Sequence, residues 1–217
     1  MRLLATSAAV LALLTPLASH ALASIDDAKG DFLGTFAGSS ASTDLDVLAA
    51  SVFYNAGTDT FTLTATMDGN VGTTKSGLYV WGVNRGQGAA GFEKSLGLAG
   101  VRFDQVILLR PNGTGSLPGL PADKATLPVG AVVVSGKTIT ATVSGSLLPS
   151  TGFANKLDYT WNLWPRDTAF AGVAAISDFA PNNTNFTATP VPEPASAALL
   201  LGGLGLVAMY RRRQSNS

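Results

Sequence analysis

Residues Thr60 to Met67, TFTLTATM, put Phe61, Leu63, Ala65 and Met67 at alternate positions, with a threonine before each. Successive side chains of a strand point to opposite faces of a sheet, so this segment buries one complete face only as a β-strand. Wound as a helix, the same residues would scatter apolar groups around every side. The preceding LDVLAASVFYN reaches it through Ala56-Gly57-Thr58-Asp59, a hairpin loop. A second hairpin is read in VVVSGKTITATV, with Ser135-Gly136 as the two-residue turn and Ile139, Ala141 and Val143 on one side.

The other apolar runs are equally short: GLYVWGV from Gly77, VRFDQVILL from Val101, LDYTWNLW from Leu157, VAAIS from Val173 and NFTAT from Asn185. Turn-forming residues separate them, and only the two ends of the chain sustain a helical stripe. Short strands with polar turns predict an all-β fold, a single antiparallel β-sandwich or jelly-roll-like domain. The boundaries expected are 1–23 for a signal-peptide helix, 24–181 for the β domain, 182–190 for a linker rich in Asn, Thr and Pro, and 191–214 for a tail with a transmembrane helix. GTGSLPGLPADKATLPVG, from Gly113 to Gly130, reads as a surface loop. No fixed internal repeat points to a solenoid or propeller.

What the chain lacks narrows its chemistry. It contains no cysteine, and its one histidine, His20, lies in the segment expected to be removed. Thiol nucleophiles, Ser-His-Asp arrangements and histidine-ligated zinc or iron each need a thiolate or an imidazole, so neither such an enzyme nor a cofactor is expected. The formal charge is balanced and only 13% of residues are charged, which leaves no basic field for a phosphate backbone. Nucleic acid is therefore not an expected partner.

The N-terminus has a cationic Arg2, an apolar run from Leu3 to Leu14, Pro16, and small residues at Ala21 and Ala23. That is the layout of a secretory signal peptide, cut by signal peptidase after Ala23. At the far end, Ala195 to Tyr210 carries no charge and is followed by Arg211, Arg212 and Arg213. A helix there is somewhat short for a hydrocarbon core of about 30 Å, but can span with local thinning, its arginines held in the cytoplasm as a membrane stop. Val191-Pro192-Glu193-Pro194 precedes it, and the two prolines disfavour helix, leaving Glu193 in an extended strip that suits a protease cleft.

The Val-Pro-Glu-Pro box, the apolar helix and the arginine cluster, in that order, resemble the PEP-CTERM sorting signal of Gram-negative bacteria that make exopolysaccharide. The resemblance implies recognition by exosortase, a membrane cysteine protease that cuts near the box. It implies a precursor held in the inner membrane by the C-terminal helix, then delivered to the cell envelope or extracellular matrix, with exopolysaccharide as a further candidate partner. GDFLGTFAG, LYVWGVNRG, FDQVILLRPNGTG, YTWNLWPR and ISDFAPNN also resemble a recurrent exported domain that precedes such tails and brings no activity with it.

Candidate ligand-binding residues in the β domain are Trp81, Arg85, Trp161 and Trp164. An outward Trp can stack on a sugar ring, whereas an inward one fills the core. Tyr79 and Trp81 share one strand face with Leu78 and Val80 opposite, and Tyr159 and Trp161 share a face opposite Trp164. Arg85 can clamp a carboxylate of a ligand, or pair with Asp104 and fix its own loop. Asp44 and Asp46 are spaced for one strand face, and Asp26, Asp27 and Asp31 cluster near the expected mature N-terminus, but no D-x-[DN]-x-[DN]-G loop accompanies them, so no metal site is expected. A glycosidase would need two carboxyl groups; Glu93 is the one glutamate between the two ends, and nothing selects its partner. Gly86, Gly88 and Gly91 lack the Lys-Ser/Thr of a phosphate loop. The favoured class is a structural or interaction protein of the matrix, then a carbohydrate-binding module, then a glycan hydrolase.

Overall fold

The computed structural model describes residues 24–122 and 125–191. The expected signal-peptide helix, the membrane helix, Pro192, Glu193, Pro194 and the Arg211 to Arg213 stop lie outside them. The described chain forms β1 Ile25–Asp26, β2 Val47–Asn55, β3 Thr60–Met67, β4 Gly77–Asn84, β5 Ala89–Phe92, a one-turn helix α1 Glu93–Leu96, β6 Leu98–Phe103, β7 Gln105–Leu109, β8 Gly115–Ser116, β9 Val132–Ser135, β10 Thr138–Ser144, β11 Thr160–Asp167, β12 Phe186–Thr187 and β13 Thr189–Pro190. Among these residues no helix is long and apolar enough to cross a membrane.

Two sheets enclose one core. The first runs β1-β2-β3-β10-β9, with β13 pairing the β2 edge as well; the second runs β12-β11-β4-β7-β8. All pairings are antiparallel except β13 on β2. The alternation of β3 is realised residue by residue: Phe61, Leu63, Ala65 and Met67 are fully buried and the threonines between them half-buried. Those threonines meet Thr138, Thr140 and Thr142 across the β10 pairing, a β-branched match that suits a pleated surface. From the second sheet, Tyr79, Trp81, Val83, Ile107, Leu109, Trp161 and Leu163 close the same core. Phe61 bridges the layers, its ring centroid 5.1 Å from Trp161 and 5.8 Å from Tyr159.

β4 and β11 are buried on both faces. Behind the second sheet, Val80 and Trp164 join Val101, Ile176 and Phe179 in a smaller cluster, covered in part by the separate β5-β6 hairpin. Strands covered on both sides read as near-continuous apolar runs, which is the pattern of LYVWGV and TWNLW. Gly82 permits the close approach: a Cβ there would collide with the Trp164 ring.

Several sequence expectations are corrected. VRFDQVILL is two strands, because the Asp104 N–H donates to the Val83 carbonyl at 2.9 Å and the chain passes from the β5 hairpin to β4 at that residue. The second hairpin turns at Gly136-Lys137, one residue later than expected; Ser135 pairs with Thr138, and Gly136 supplies the left-handed φ of +57°. VAAIS begins as a 3-10 turn over Gly172–Ala175, not a strand. The loop 113–130 contributes β8 and buries Leu117 and Leu127 in the main core.

The expected linker 182–190 belongs to the fold. β12 pairs β11, and β13 runs parallel to β2. Asn183 accepts the Gly100 N–H at 3.0 Å, while Asn185 accepts the Arg102 N–H at 3.2 Å and donates to the Arg102 carbonyl at 2.6 Å. These side chains satisfy backbone groups of β6 that no strand reaches on that side.

Candidate functional site

Trp81 and Trp161 are completely buried and Trp164 is 2% exposed, so none of the three is placed to stack on a sugar. Trp81 and Trp161 fill the main core; Trp164 packs against Phe92, Phe103 and Phe179 in the second cluster. The face assignments read from the sequence hold, and of the two orientations weighed there the inward, core-filling one is realised. The reason is energetic: each ring buries a large apolar area, and a two-sided sheet offers it shelter on either face.

Arg85 follows β4 and turns inward. Its Nε donates to Asp104 Oδ1 at 2.8 Å and one terminal nitrogen donates to the Pro149 carbonyl at 3.3 Å. Its carbonyl accepts the N–H groups of Thr151, Gly152 and Phe153 at 3.1–3.2 Å. The second Asp104 oxygen accepts from the Thr151 hydroxyl and the Arg85 and Gln87 N–H groups. Burial pushes the Asp104 carboxyl up, but the bonds from Arg85 and Thr151 outweigh it and hold it below the ordinary carboxylate range. Arg85 thus fastens the β4 exit to the 149–153 loop, the internal role its sequence context allowed.

Asp44 and Asp46 do not share a strand face. Asp44 lies in a 3-10 turn, Thr43–Leu45, and accepts from the Thr74 N–H and hydroxyl; Asp46 follows that turn and accepts the Gly30 N–H at 2.8 Å. Asp26 and Glu93 are exposed, with Asp26 on β1 and Glu93 opening α1. A groove of about 630 Å³ lies where Lys75, Ser76, Arg110, Pro111, Asn112 and Thr168 converge, so two cationic side chains line it.

A constellation not assembled from the sequence brings Asp27, Asp31 and Asp178 together. One carboxylate oxygen from each lies within 4.8 Å of the other two. Asp178 is fully buried; one oxygen accepts the Val47 N–H at 2.9 Å and the other the Phe179 N–H at 2.6 Å. Asp27 Oδ2 and Asp31 Oδ1 are shut off from solvent without any hydrogen-bond partner, while Asp31 Oδ2 accepts from the Asn182 amide at 3.1 Å. Burial, reinforced by the charge of Asp31, pushes Asp27 up to about 7. Burial above all, then the charges of Asp27 and Asp31, push Asp178 up to about 8 against the pull of its two backbone donors. The sequence signal for Asp178 was a lone carboxylate inside an apolar run, Ile176-Ser177-Asp178-Phe179.

Of the Val191 to Pro194 box, the described residues include Val191, whose N–H donates to the Tyr54 carbonyl at 3.1 Å directly after β13. Residues 190–214 match the family model for the PEP-CTERM protein-sorting motif. The chain carries a PEP-CTERM sorting signal. A PEP-CTERM signal implies an exported protein processed by exosortase, a membrane protein. No curated protein and no solved structure matches the chain. The PEP-CTERM match covers the tail alone, so it speaks to sorting and not to the chemistry of the two-sheet domain.

Proposed function

We propose that this PEP-CTERM protein is a structural or interaction component of the cell surface or extracellular matrix, associated with exopolysaccharide, and not an enzyme. Signal peptidase removes residues 1–23, the 195–210 helix holds the precursor in the inner membrane with Arg211, Arg212 and Arg213 as the cytoplasmic stop, and exosortase cuts at the Val191-Pro192-Glu193-Pro194 box. The observation that carries the sorting part of this reading is the motif over 190–214, whose first residue is also the last residue of β13. A signal fused to the sheet edge delivers the whole domain to wherever the cut end is placed.

Mass spectrometry of the mature C-terminus from the native host tests it. A terminus at or near Glu193, free or carrying an adduct, is expected; an intact tail through Arg213 refutes processing.

Carbohydrate binding is the second reading. With the tryptophans buried, the surface that favours it is the groove holding Lys75 and Arg110, whose cations suit the carboxylates of an acidic polysaccharide. Retention of the purified protein on such a polysaccharide, lost in Arg110→Ala, would move this reading to first place.

A further inference from the structure

The outer face of the first sheet carries an array of hydroxyls. Thr60, Thr62, Thr64 and Thr66 of β3 stand opposite Ser144, Thr142, Thr140 and Thr138 of β10. The residues between them, Phe61 to Met67 and Ile139 to Val143, fill the core, so the alternation turns the hydroxyls to the opposite face. Strand geometry repeats such groups about every 6.8 Å along a strand and about every 4.8 Å between strands. At one point of the array the Thr64 and Thr140 hydroxyls meet at 3.4 Å.

At the Thr60 and Ser144 end the array opens into a groove of about 690 Å³, the size of a ligand pocket. Thr60, Thr126, Thr142, Ser144 and Ser146 bring hydroxyls to it, Pro128, Val129 and Leu147 bring apolar groups, and no lining residue is charged. One wall is the turn 128–131, closed by the Ala131 N–H on the Pro128 carbonyl at 3.0 Å, with Gly130 at φ +82°. Both roots of this turn are fixed: Leu127 is buried in the main core, and the Ala131 carbonyl accepts the Thr142 N–H at 2.8 Å. Val129, inside the turn, is fully exposed. The fold therefore holds an unburied valine in place beside a set of hydroxyls.

An ion finds no opposite charge in this lining. A wholly apolar ligand would leave the hydroxyls without partners. An extended peptide needs a free strand edge, and β3 and β10 are interior strands paired on both sides. A neutral sugar chain meets each condition, because its hydroxyls donate and accept as serine and threonine do, and its C–H faces can lie on threonine methyls, Val129 and Leu147. A hydroxyl has one donor and two acceptor positions. The Ser144–Ser146 bond at 2.8 Å and the Thr60 bond to the Thr58 carbonyl at 3.0 Å thus leave capacity for a ligand.

We propose that the groove beside Val129, continued by the threonine rows of β3 and β10, binds a neutral polysaccharide chain. The inference rests on the association with exopolysaccharide proposed above and adds to it a face of the domain and a class of glycan. It is separate from the groove of Lys75 and Arg110, whose cations suit acidic chains.

The test is affinity electrophoresis of the full chain, purified in detergent, through gels containing galactomannan, dextran, the neutral exopolysaccharide fraction of the native host or, for comparison, alginate. Retardation is expected in at least one neutral gel and should persist at high salt, because no charge takes part. Val129→Asp alters a side chain that the fold does not bury, so it should melt as the wild type does while binding weakens about tenfold, an unpaired charge being pressed against an uncharged chain. Thr142→Glu, at an exposed position of β10, should do the same from the floor of the groove. Retardation in no neutral gel, or undiminished retardation in either variant, would overturn the site. Binding confined to alginate and lost at high salt would overturn it in favour of the Lys75 and Arg110 groove. An exosortase-cut C-terminus on a protein that no neutral gel retards would strike this site and leave the sorting reading standing.

Discussion

Replacing Arg85 by alanine should loosen two loops at once. The guanidinium and the Asp104 carboxylate are each 12% exposed, far enough from water to escape the near-zero value of a surface ion pair. In Arg85→Ala the carboxylate keeps the Thr151 hydroxyl and the backbone N–H groups, so it is weakened and not stranded. Losing one charge-assisted bond, with the packing of the arginine stem, should cost about 2–3 kcal/mol. Asp104→Ala should cost more, about 3–5 kcal/mol, because it strands a half-sheltered guanidinium and removes the acceptor for Thr151 and Gln87 together. The double variant should fall short of the sum by about 1–3 kcal/mol, the coupling of groups in direct contact. For a domain of this size, each kcal/mol lowers the melting temperature by about 2–4 °C. Urea unfolding followed by tryptophan fluorescence gives the free energies, and limited proteolysis at 149–153 reports the loop. The pH series carries the sign: Asp104 is held below its ordinary value, so its contribution is present above about pH 4 and is lost as the pH falls through its folded value, and the Arg85→Ala penalty should shrink at pH 3. An Arg85→Ala protein within about 0.5 kcal/mol of wild type, with additive single variants, would refute the reasoning.

Gly82→Ala drives a methyl group into the Trp164 ring inside a two-sided strand, and a loss of about 1–3 kcal/mol is expected by chemical denaturation, with near-UV dichroism changed. Asn185→Ala removes both bonds to Arg102, and faster amide exchange along Leu98–Phe103 should accompany a loss of about 1–2 kcal/mol; unchanged exchange would contradict the edge-capping role. Asp27 and Asp178 titrate near 7 and 8 in the fold against 3.8 in an unfolded chain, so between those limits the native state retains protons that the unfolded state has released. The protein should therefore lose stability as the pH rises from 5 to 8; a melting temperature that is flat or rises over that range counts against the buried cluster.

The strands were legible wherever one rule decided the residue. Strict alternation placed every side chain of β3 on its correct face, and the doubled apolar faces of LYVWGV and TWNLW announced strands covered on both sides. Periodicity failed at Asp104, where VRFDQVILL changes partner strand: its N–H goes to the Val83 carbonyl and its carboxylate to Arg85, contacts that no spacing within the run encodes. Composition failed at 182–190, where asparagine amides stand in for the hydrogen bonds of a neighbouring strand, a use that counting asparagines cannot separate from a linker. The candidate site failed for a different reason. Asp27 and Asp31 were visible as carboxylates near one end, but their partner Asp178 reaches them only through chain closure, which no local spacing encodes. The sorting tail was the easiest part to read, since its three pieces are contiguous and need no fold to bring them together.

β13 ends at Pro190, and just two residues, Val191 and Pro192, precede the glutamate of the box. Fully stretched, a pair of residues covers about 7 Å. The Val191 N–H is itself bonded to the Tyr54 carbonyl, so a protease acting at the glutamate would work close to the flank of the domain or first peel Thr189-Pro190 away from Phe53-Tyr54. Cleavage speed would then depend on how firmly that last rung is zipped.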